Sequence, residues 1–269
     1  MITKSYIVGL PASGKTTFLG ALAYTITNSM PGANMFELDK VENLDYMNGL
    51  AITWSKCEEV GRTNLGQYES NKLFLRDSLS NKVELSMPDQ SGEEFKNIIK
   101  NRSMTMGMYT EIKECDNIFL FINPNIIEKD VMINDIAPKY RKDSPESVIS
   151  LDEKYVHEQV QYVMLLQDIS KIKKGKIKIK VIISAWDAYK DAKCPSDLLK
   201  NKLPLVWQYL FSNEQLFNCE FWGISAQGGD LADESVKEQM LDYENAIERI
   251  IVVSENGNEI SHDLTVLLK

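Results

Sequence analysis

Gly9-Leu10-Pro11-Ala12-Ser13-Gly14-Lys15-Thr16 decides how the rest of the chain is read. The apolar, β-prone triplet Tyr6-Ile7-Val8 precedes it. Thr16 to Asn28 follows it, with Phe18, Leu19, Leu22, Ala23 and Ile26 on one face of a helix that stops at Pro31-Gly32. Strand, glycine-bounded loop and helix in this order, carrying G-x-x-x-x-G-K-[ST] in full, describe a loop wrapped around a phosphate. Backbone N–H groups in such a loop converge on an anion, and the following helix adds its positive end. The phosphate-binding residues expected from the motif are Gly9, Ala12, Ser13, Gly14, Lys15, Thr16 and Thr17. Lys15 serves as the cation for the β- and γ-phosphates, and the Thr16 hydroxyl as a Mg²⁺ ligand.

Downstream, Lys72–Leu75 and Lys82–Met87 read as two strands around the polar turn Asp77–Asn81, a hairpin. Ile118–Ile122, Ile179–Ile183 and Glu220–Ile224 read as further strands. Helices are expected over Leu44–Glu59, Glu93–Cys115, Leu151–Ile172, Leu198–Phe211 and Ser235–Val252. This alternation predicts an α/β fold of three layers, a mostly parallel sheet with one antiparallel edge strand and helices on both faces. No repeat or low-complexity linker interrupts residues 1–269, so a single domain is expected, with an insertion at about 124–150.

The strand at Val83–Met87 runs into Pro88-Asp89-Gln90-Ser91-Gly92-Glu93. An acid at a strand end can hold a Mg²⁺-bound water, and a glycine three residues on can offer its N–H to a γ-phosphate or act as a pivot. With the phosphate loop, this D-x-x-G makes the chain resemble the translation-factor/Ras-like class of P-loop GTPases. The resemblance implies a guanine nucleotide, GTP or GDP, with Mg²⁺ held by Thr16, Asp89 and a threonine between the first helix and second strand. Thr63 is the candidate for that threonine, with Thr53 as a rival. Where the class has glutamine to orient the attacking water, this chain has Glu93, which adds negative charge beside the γ-phosphate. Arg62 reads either as an arginine finger supplied by the chain itself or as a surface arginine.

The resemblance extends to the base. Ser184-Ala185-Trp186-Asp187 stands where the class has N/T-K-x-D, which implies that Asp187 accepts from the guanine N1–H and 2-amino groups. Trp186 either stacks on the base or belongs to the core, and Asp187 has a helix N-cap as its alternative reading. Ser225-Ala226-Gln227 stands where the class has S-A-K at a strand end, and the Ala226 N–H is then a contact for guanine O6. The altered motifs and the C-terminal Asp263-Leu264-Thr265 are similar to bacterial double-GTPase domains, which resemble components of multi-protein conflict and defence systems.

The bulk properties set limits. A net charge of −9 argues against a large nucleic-acid footprint. Cys57, Cys115, Cys194 and Cys219 contain no C-x-x-C pair, so reduced thiols of a cytoplasmic protein are expected rather than zinc or disulfides. No run of about 18 apolar residues is present, so no transmembrane helix is expected. The lysines between Lys171 and Lys180 read as a solvated edge, and Trp54, Trp207 and Trp222 as core.

Together these features predict a GTP-binding switch with slow Mg²⁺-dependent hydrolysis, catalysed by Lys15, Glu93 and Arg62 and read by a protein effector. Two other readings stand beside it: a nucleotide-binding adaptor without turnover, and a P-loop ATPase.

Overall fold

The computed structural model describes residues 2–30, 32–59, 70–88, 98–127, 156–189, 191–256 and 260–269. Within them lie the strands β1 (Ile2–Gly9), β2 (Phe36–Val41), β3 (Ser70–Asp77), β4 (Lys82–Pro88), β5 (Asn117–Ile122), β6 (Ile177–Ile183), β7 (Phe217–Ser225), β8 (Ile251–Val253) and β9 (Ile260–Ser261). They form one sheet in the order β2-β3-β4-β1-β5-β6-β7-β8-β9. The helices are α1 (Lys15–Asn28), α2 (Leu44–Ser55), α3 (Met106–Glu114), α4 (Glu158–Ile172), α5 (Pro195–Lys202), α6 (Pro204–Ser212) and α7 (Glu234–Leu241).

The middle of the sheet, β4-β1-β5-β6-β7, is parallel throughout. All six residues of β5 are buried, which fits a strand covered on both faces. Its side chains alternate between two cores. Ile118, Leu120 and Ile122 join Tyr162, Leu165, Leu166 and Ile169 of α4. Phe119 and Phe121 join Phe18, Leu19 and Leu22 of α1 and Met47, Leu50 and Trp54 of α2. The sheet therefore separates two helical layers, as expected from the sequence.

Because β1, β5, β6 and β7 run the same way, with Gly9 beside Phe121, Ile122 beside Ile183 and Ile183 beside Gly223, their carboxyl ends lie along one edge of the sheet. The loops that leave those ends carry the motif residues, and in open α/β sheets ligands gather at this edge.

Helices α1 and α2 lie close enough that a Cβ on Gly20 would stand 3.1 Å from the Trp54 Cβ and 3.2 Å from the Leu50 carbonyl oxygen. The hairpin β3–β4 is present, and Asp77 closes its turn by accepting from the Leu79 and Asn81 N–H groups.

Several boundaries differ from the sequence reading. β2 pairs antiparallel outside β3, with a register shift between Leu38 and Lys40, so the antiparallel hairpin strand is one place in from the edge. Its charged, alternating Phe36-Glu37-Leu38-Asp39-Lys40-Val41 carries too few apolar residues to announce a strand. Leu198–Phe211 is two helices, because Pro204 has no N–H to continue the ladder and Leu203 leaves helical geometry with φ −129°. The final helix ends at Leu241. The β-branched run Ile251-Val252-Val253 pairs instead with the end of β7, and β9 pairs with β8. Lys180 is only 5% exposed and donates to the Leu267 and Lys269 carbonyl oxygens, so it is not part of a solvated edge. Trp54 is fully buried, whereas Trp207 and Trp222 are half-buried. Of the insertion at 124–150, residues 128–150 lie outside the described residues. No helix among the described residues is long and apolar enough to cross a membrane.

Candidate functional site

The phosphate loop leaves β1 at Gly9, where a Cβ would lie 2.6 Å from the Phe121 carbonyl oxygen and 2.7 Å from Ser13 Oγ. Only glycine fits there. Gly14 has φ +90°, in the left-handed region, and a Cβ on it would stand 3.0 Å from Ser184 Cβ. Ala12 also has positive φ, 58°. Gly14 caps α1 without a side-chain hydrogen bond, and no acid occupies the helix's first turn. The N–H groups of that turn are therefore not claimed by a cap, and they carry the positive end of the helix dipole. Lys15 Nζ folds back over the loop, donating to the Gly9 oxygen at 2.7 Å, the Leu10 oxygen at 2.8 Å and Ser13 Oγ at 3.1 Å. Its ammonium is held at the concave side of the loop by acceptors that an anion's oxygens can replace.

At the end of β6, Ser184 receives its position from β5 and the phosphate loop. Its N–H donates to the Ile122 oxygen, and its hydroxyl lies 2.9 Å from the Ser13 oxygen and 3.2 Å from the Ile122 oxygen. Ala185 follows in the left-handed region, φ 53°. Trp186 is 8% exposed and lies against Gly223 of β7, where a Cβ would come within 2.5 Å of two ring atoms. Of its two readings, the core one is correct. Asp187 sits in the 3₁₀ turn Trp186–Tyr189. Its Oδ1 accepts from the Ser225 hydroxyl at 2.5 Å, and Ser225 Oγ in turn accepts from the Gly228 N–H at 3.0 Å. Among the described residues its carboxylate is thus held by a side chain of β7, not by the first turn of a helix.

The loop after β7 is anchored from behind. Trp54 of α2 donates its indole N–H to the Ala226 oxygen at 2.9 Å. Arg249, 2% exposed, lies over the Trp54 ring at 4.3 Å and donates to Cys57 Sγ and the Trp54 oxygen. Gly228 has φ +96°, and a Cβ there would be 2.8 Å from Arg249 Cβ.

These loops enclose a cavity of about 580 Å³, within the range of small-molecule sites. Ala12, Ser13, Gly14, Lys15, Thr16 and Thr17 of the phosphate loop and first helical turn line it together with Ser184, Ala185, Asp187, Ala188 and Ala226. Gly9 and Ser225 are not in the wall but shape it, Gly9 under the loop and Ser225 by holding Asp187. Arg62, Thr63, Asp89, Gly92 and Glu93 lie outside the described residues. Thr53 lies within α2 and does not line the cavity.

The structure adds wall residues that the sequence reading did not select. Asn123 and Asn125 follow β5, Asn123 donating to the Ala12 oxygen at 3.3 Å and Asn125 accepting from Tyr189 Oη at 2.5 Å. Turn residues directly after an all-apolar strand were the available signal. Gln227, Gly229, Asp230 and Leu231 extend the wall beyond Ala226. Gln227 is 8% exposed, and among the described residues neither of its buried amide atoms has a hydrogen-bond partner. An unmade buried hydrogen bond costs about 1–3 kcal/mol.

Among the described residues no group of three or more His, Cys, Asp or Glu side chains comes together as a metal cage. The oxygen donors in the cavity wall that suit a hard cation include the Thr16 and Thr17 hydroxyls and the Asp187 and Asp230 carboxylates, and of these Thr16 directly follows the phosphate-loop lysine. That is compatible with Mg²⁺, which keeps waters and phosphate oxygens as most of its ligands and takes few from protein.

Comparison with known proteins gives a match to the family model described as Double-GTPase 1 over residues 6–269. None of the curated proteins matches the chain. Among solved structures, the bacterial selenocysteine-specific elongation factor EF-Sec is similar at 14% identity and a TM-score of 0.40, over 89% of this chain and 28% of that one. Era from Aquifex aeolicus, bound to GDP and aluminium fluoride, is similar at 17% identity and a TM-score of 0.40, over 90% of this chain and 56% of that one. The Arl6 small GTPase from Trypanosoma brucei is similar at 11% identity and a TM-score of 0.41, over 90% of this chain and 98% of that one. The chain thus spans 28% and 56% of the first two, and at these identities and scores none of the three carries an argument about its chemistry.

Proposed function

The chain belongs to the Double-GTPase 1 family of P-loop GTPases, and from that premise we propose that it is a single-domain, cytoplasmic guanine-nucleotide switch. It binds GTP with Mg²⁺, hydrolyses it slowly and presents the bound state to a protein effector. The observation that carries this reading is a cavity whose wall contains both the phosphate loop and Asp187. The cation at Lys15 and the first-turn N–H groups of α1 suit a polyphosphate. A carboxylate that can only accept suits a base edge made of N–H donors, which guanine has at N1 and N2 and adenine lacks.

In this reading Lys15 exchanges its loop acceptors for β- and γ-phosphate oxygens, and Thr16 holds Mg²⁺ together with Thr63 and Asp89. Bound Mg²⁺ neutralises charge on the phosphates. Gly92 donates its N–H toward the γ-phosphate, and Glu93 orients the attacking water. Arg62 faces the charge that develops during transfer. The carboxylate at Glu93, where the class has glutamine, motivates a second reading, a nucleotide-binding adaptor without turnover.

The test is a competition titration with a fluorescent GDP analogue against unlabelled GTP, GDP and ATP in Mg²⁺. Displacement by guanine nucleotides alone, lost in Lys15→Ala, is expected. Equal displacement by ATP moves the chain to the ATPase reading, and full affinity in Lys15→Ala sinks nucleotide binding by this loop. Phosphate release no faster than from nucleotide alone favours the adaptor.

A further inference from the structure

β1, β5 and β6 are parallel neighbours, so the loops that leave their carboxyl ends stand in a row along one edge of the sheet. The phosphate loop comes first, Asn123 to Asn125 second, and Ser184 to Asp187 third. The middle loop touches both of the others. Asn123 donates to the Ala12 oxygen at 3.3 Å, and Tyr189, in the same 3₁₀ turn as Asp187, donates its hydroxyl to Asn125 Oδ1 at 2.5 Å. A nucleotide is built in the same order: phosphates, ribose, base. With the phosphates at Lys15 and the base at Asp187, the ribose falls opposite the middle loop. The inference rests on the nucleotide reading given above, but not on which base is bound.

The middle loop presents one amide. Both side-chain polar atoms of Asn123 are engaged, Nδ2 with Ala12 and Oδ1 with the Asn125 N–H at 3.1 Å, which caps the short turn Pro124–Ile126. Asn125 is exposed in the cavity wall. Its Oδ1 is held by Tyr189, whose ring packs against the core on the α4 side and lies 5.7 Å from Lys202 Nζ at the end of α5. The Asn125 amide is thus oriented from one side, and among the described residues its Nδ2 has no partner. A hydroxyl both donates and accepts, so it matches the amide atom that Tyr189 leaves open. Ala185 and Ala188, which also line the cavity, have no polar side-chain atom to offer a sugar. We propose that Asn125 is a specificity-determining residue that hydrogen-bonds a ribose hydroxyl of the bound nucleotide, with Tyr189 as its positioning residue.

The test compares GDP with 2′-deoxy-GDP and 3′-deoxy-GDP by calorimetry in Mg²⁺, on the full chain, and measures unfolding midpoints alongside. The unaltered chain is expected to bind one of the two deoxy analogues about three- to tenfold more weakly than GDP, the effect of one hydrogen bond. In Asn125→Ala, GDP affinity is expected to fall by the same factor while that of the discriminated analogue stays, so the preference for the hydroxyl disappears. Tyr189→Phe keeps the ring and removes the hydroxyl that orients the amide. The preference is expected to shrink in that variant with the midpoint unchanged, whereas a merely structural role would weaken all three nucleotides alike. Equal affinity of the unaltered chain for all three overturns the proposal, and so does a preference that survives in Asn125→Ala. A chain that binds no GDP at all fails at the earlier step, the reading of the cavity as a nucleotide site, and the two failures are distinguishable for that reason.

Discussion

Ser225 donates its single hydroxyl hydrogen to Asp187 Oδ1 at 2.5 Å and accepts the Gly228 N–H at 3.0 Å. The serine is fully buried, whereas Asp187 lines the cavity, so the relay anchors an accessible carboxylate to a buried hydroxyl. It connects the ends of β6 and β7 and fixes the direction of the carboxylate. In Ser225→Ala, Asp187 loses its orienting donor and Gly228 its acceptor. Affinity for GDP is expected to fall about 5- to 20-fold, with a smaller fall for ADP. Calorimetric titration with both nucleotides checks this, and equal losses would argue against the relay acting on base recognition.

Gly223 is the floor on which Trp186 lies. A Cβ there falls 2.5 Å from two atoms of the indole ring, too close for any rotation of Trp186 to be free of consequence. Gly223→Ala is expected to lower stability by about 1–3 kcal/mol. Because Trp186 is the neighbour of Asp187, nucleotide affinity should fall as well. A urea titration reads the first effect, and an unchanged midpoint would refute it.

Trp54 reaches from α2 to the Ala226 oxygen at 2.9 Å. Trp54→Phe keeps a ring beneath Arg249 but deletes the donor and leaves a small void. A loss of about 1–3 kcal/mol in unfolding free energy is expected, together with weaker GDP binding, since Ala226 is in the cavity wall. Urea unfolding reads the first effect and calorimetric titration with GDP the second, and unchanged GDP affinity would argue against the bond positioning the Ala226 loop.

Burial pushes the Cys115 and Cys219 thiols up from the ordinary 9.0 to about 11, against the opposing pull of Lys173 on the first and Lys176 on the second. A thiol whose folded pKa is raised binds its proton in the folded state after the unfolded chain has released it. Stability is therefore full below pH 9.0, and falls as pH rises from there to about 11. The thermal midpoint should drop across this window, and the drop should shrink in Cys115→Ala/Cys219→Ala. At pH 8 both thiols should resist alkylation until denaturant is added.

How much of this was legible in the sequence depends on where the information sits. Gly9–Thr16 was readable because a local geometry demands those residue types at that spacing. Asp187 and Ser225 were readable by their order after two buried strands, and the hairpin by its turn. The Ser225–Asp187 bond itself was not legible, since it depends on the parallel register of β6 and β7. Trp54 gave no sign of its bond to Ala226, 172 positions away in sequence, for an aromatic on a helix reads as core whatever its nitrogen touches. The strands β2 and β8 were missed for opposite reasons. β2 is a charged strand with little apolar content, whereas Ile251–Val253 of β8 continues an amphipathic pattern that tertiary pairing overrides. Pro204 stands inside an apolar pattern of helical period, and only the loss of its N–H, which periodicity does not register, splits that stretch into two helices.

The two margins of the sheet, among the described residues, bear on how readily strands could add to it. On one side the terminal strand is β2, where Glu37, Asp39 and Lys40 alternate with apolar residues and the register slips between Leu38 and Lys40. On the other it is β9, which is two residues long. Charged, irregular or very short borders are poor templates for a neighbouring backbone. Among the described residues, neither border therefore offers a long, regular row of backbone groups to an incoming strand, and edge-to-edge polymerisation is discouraged.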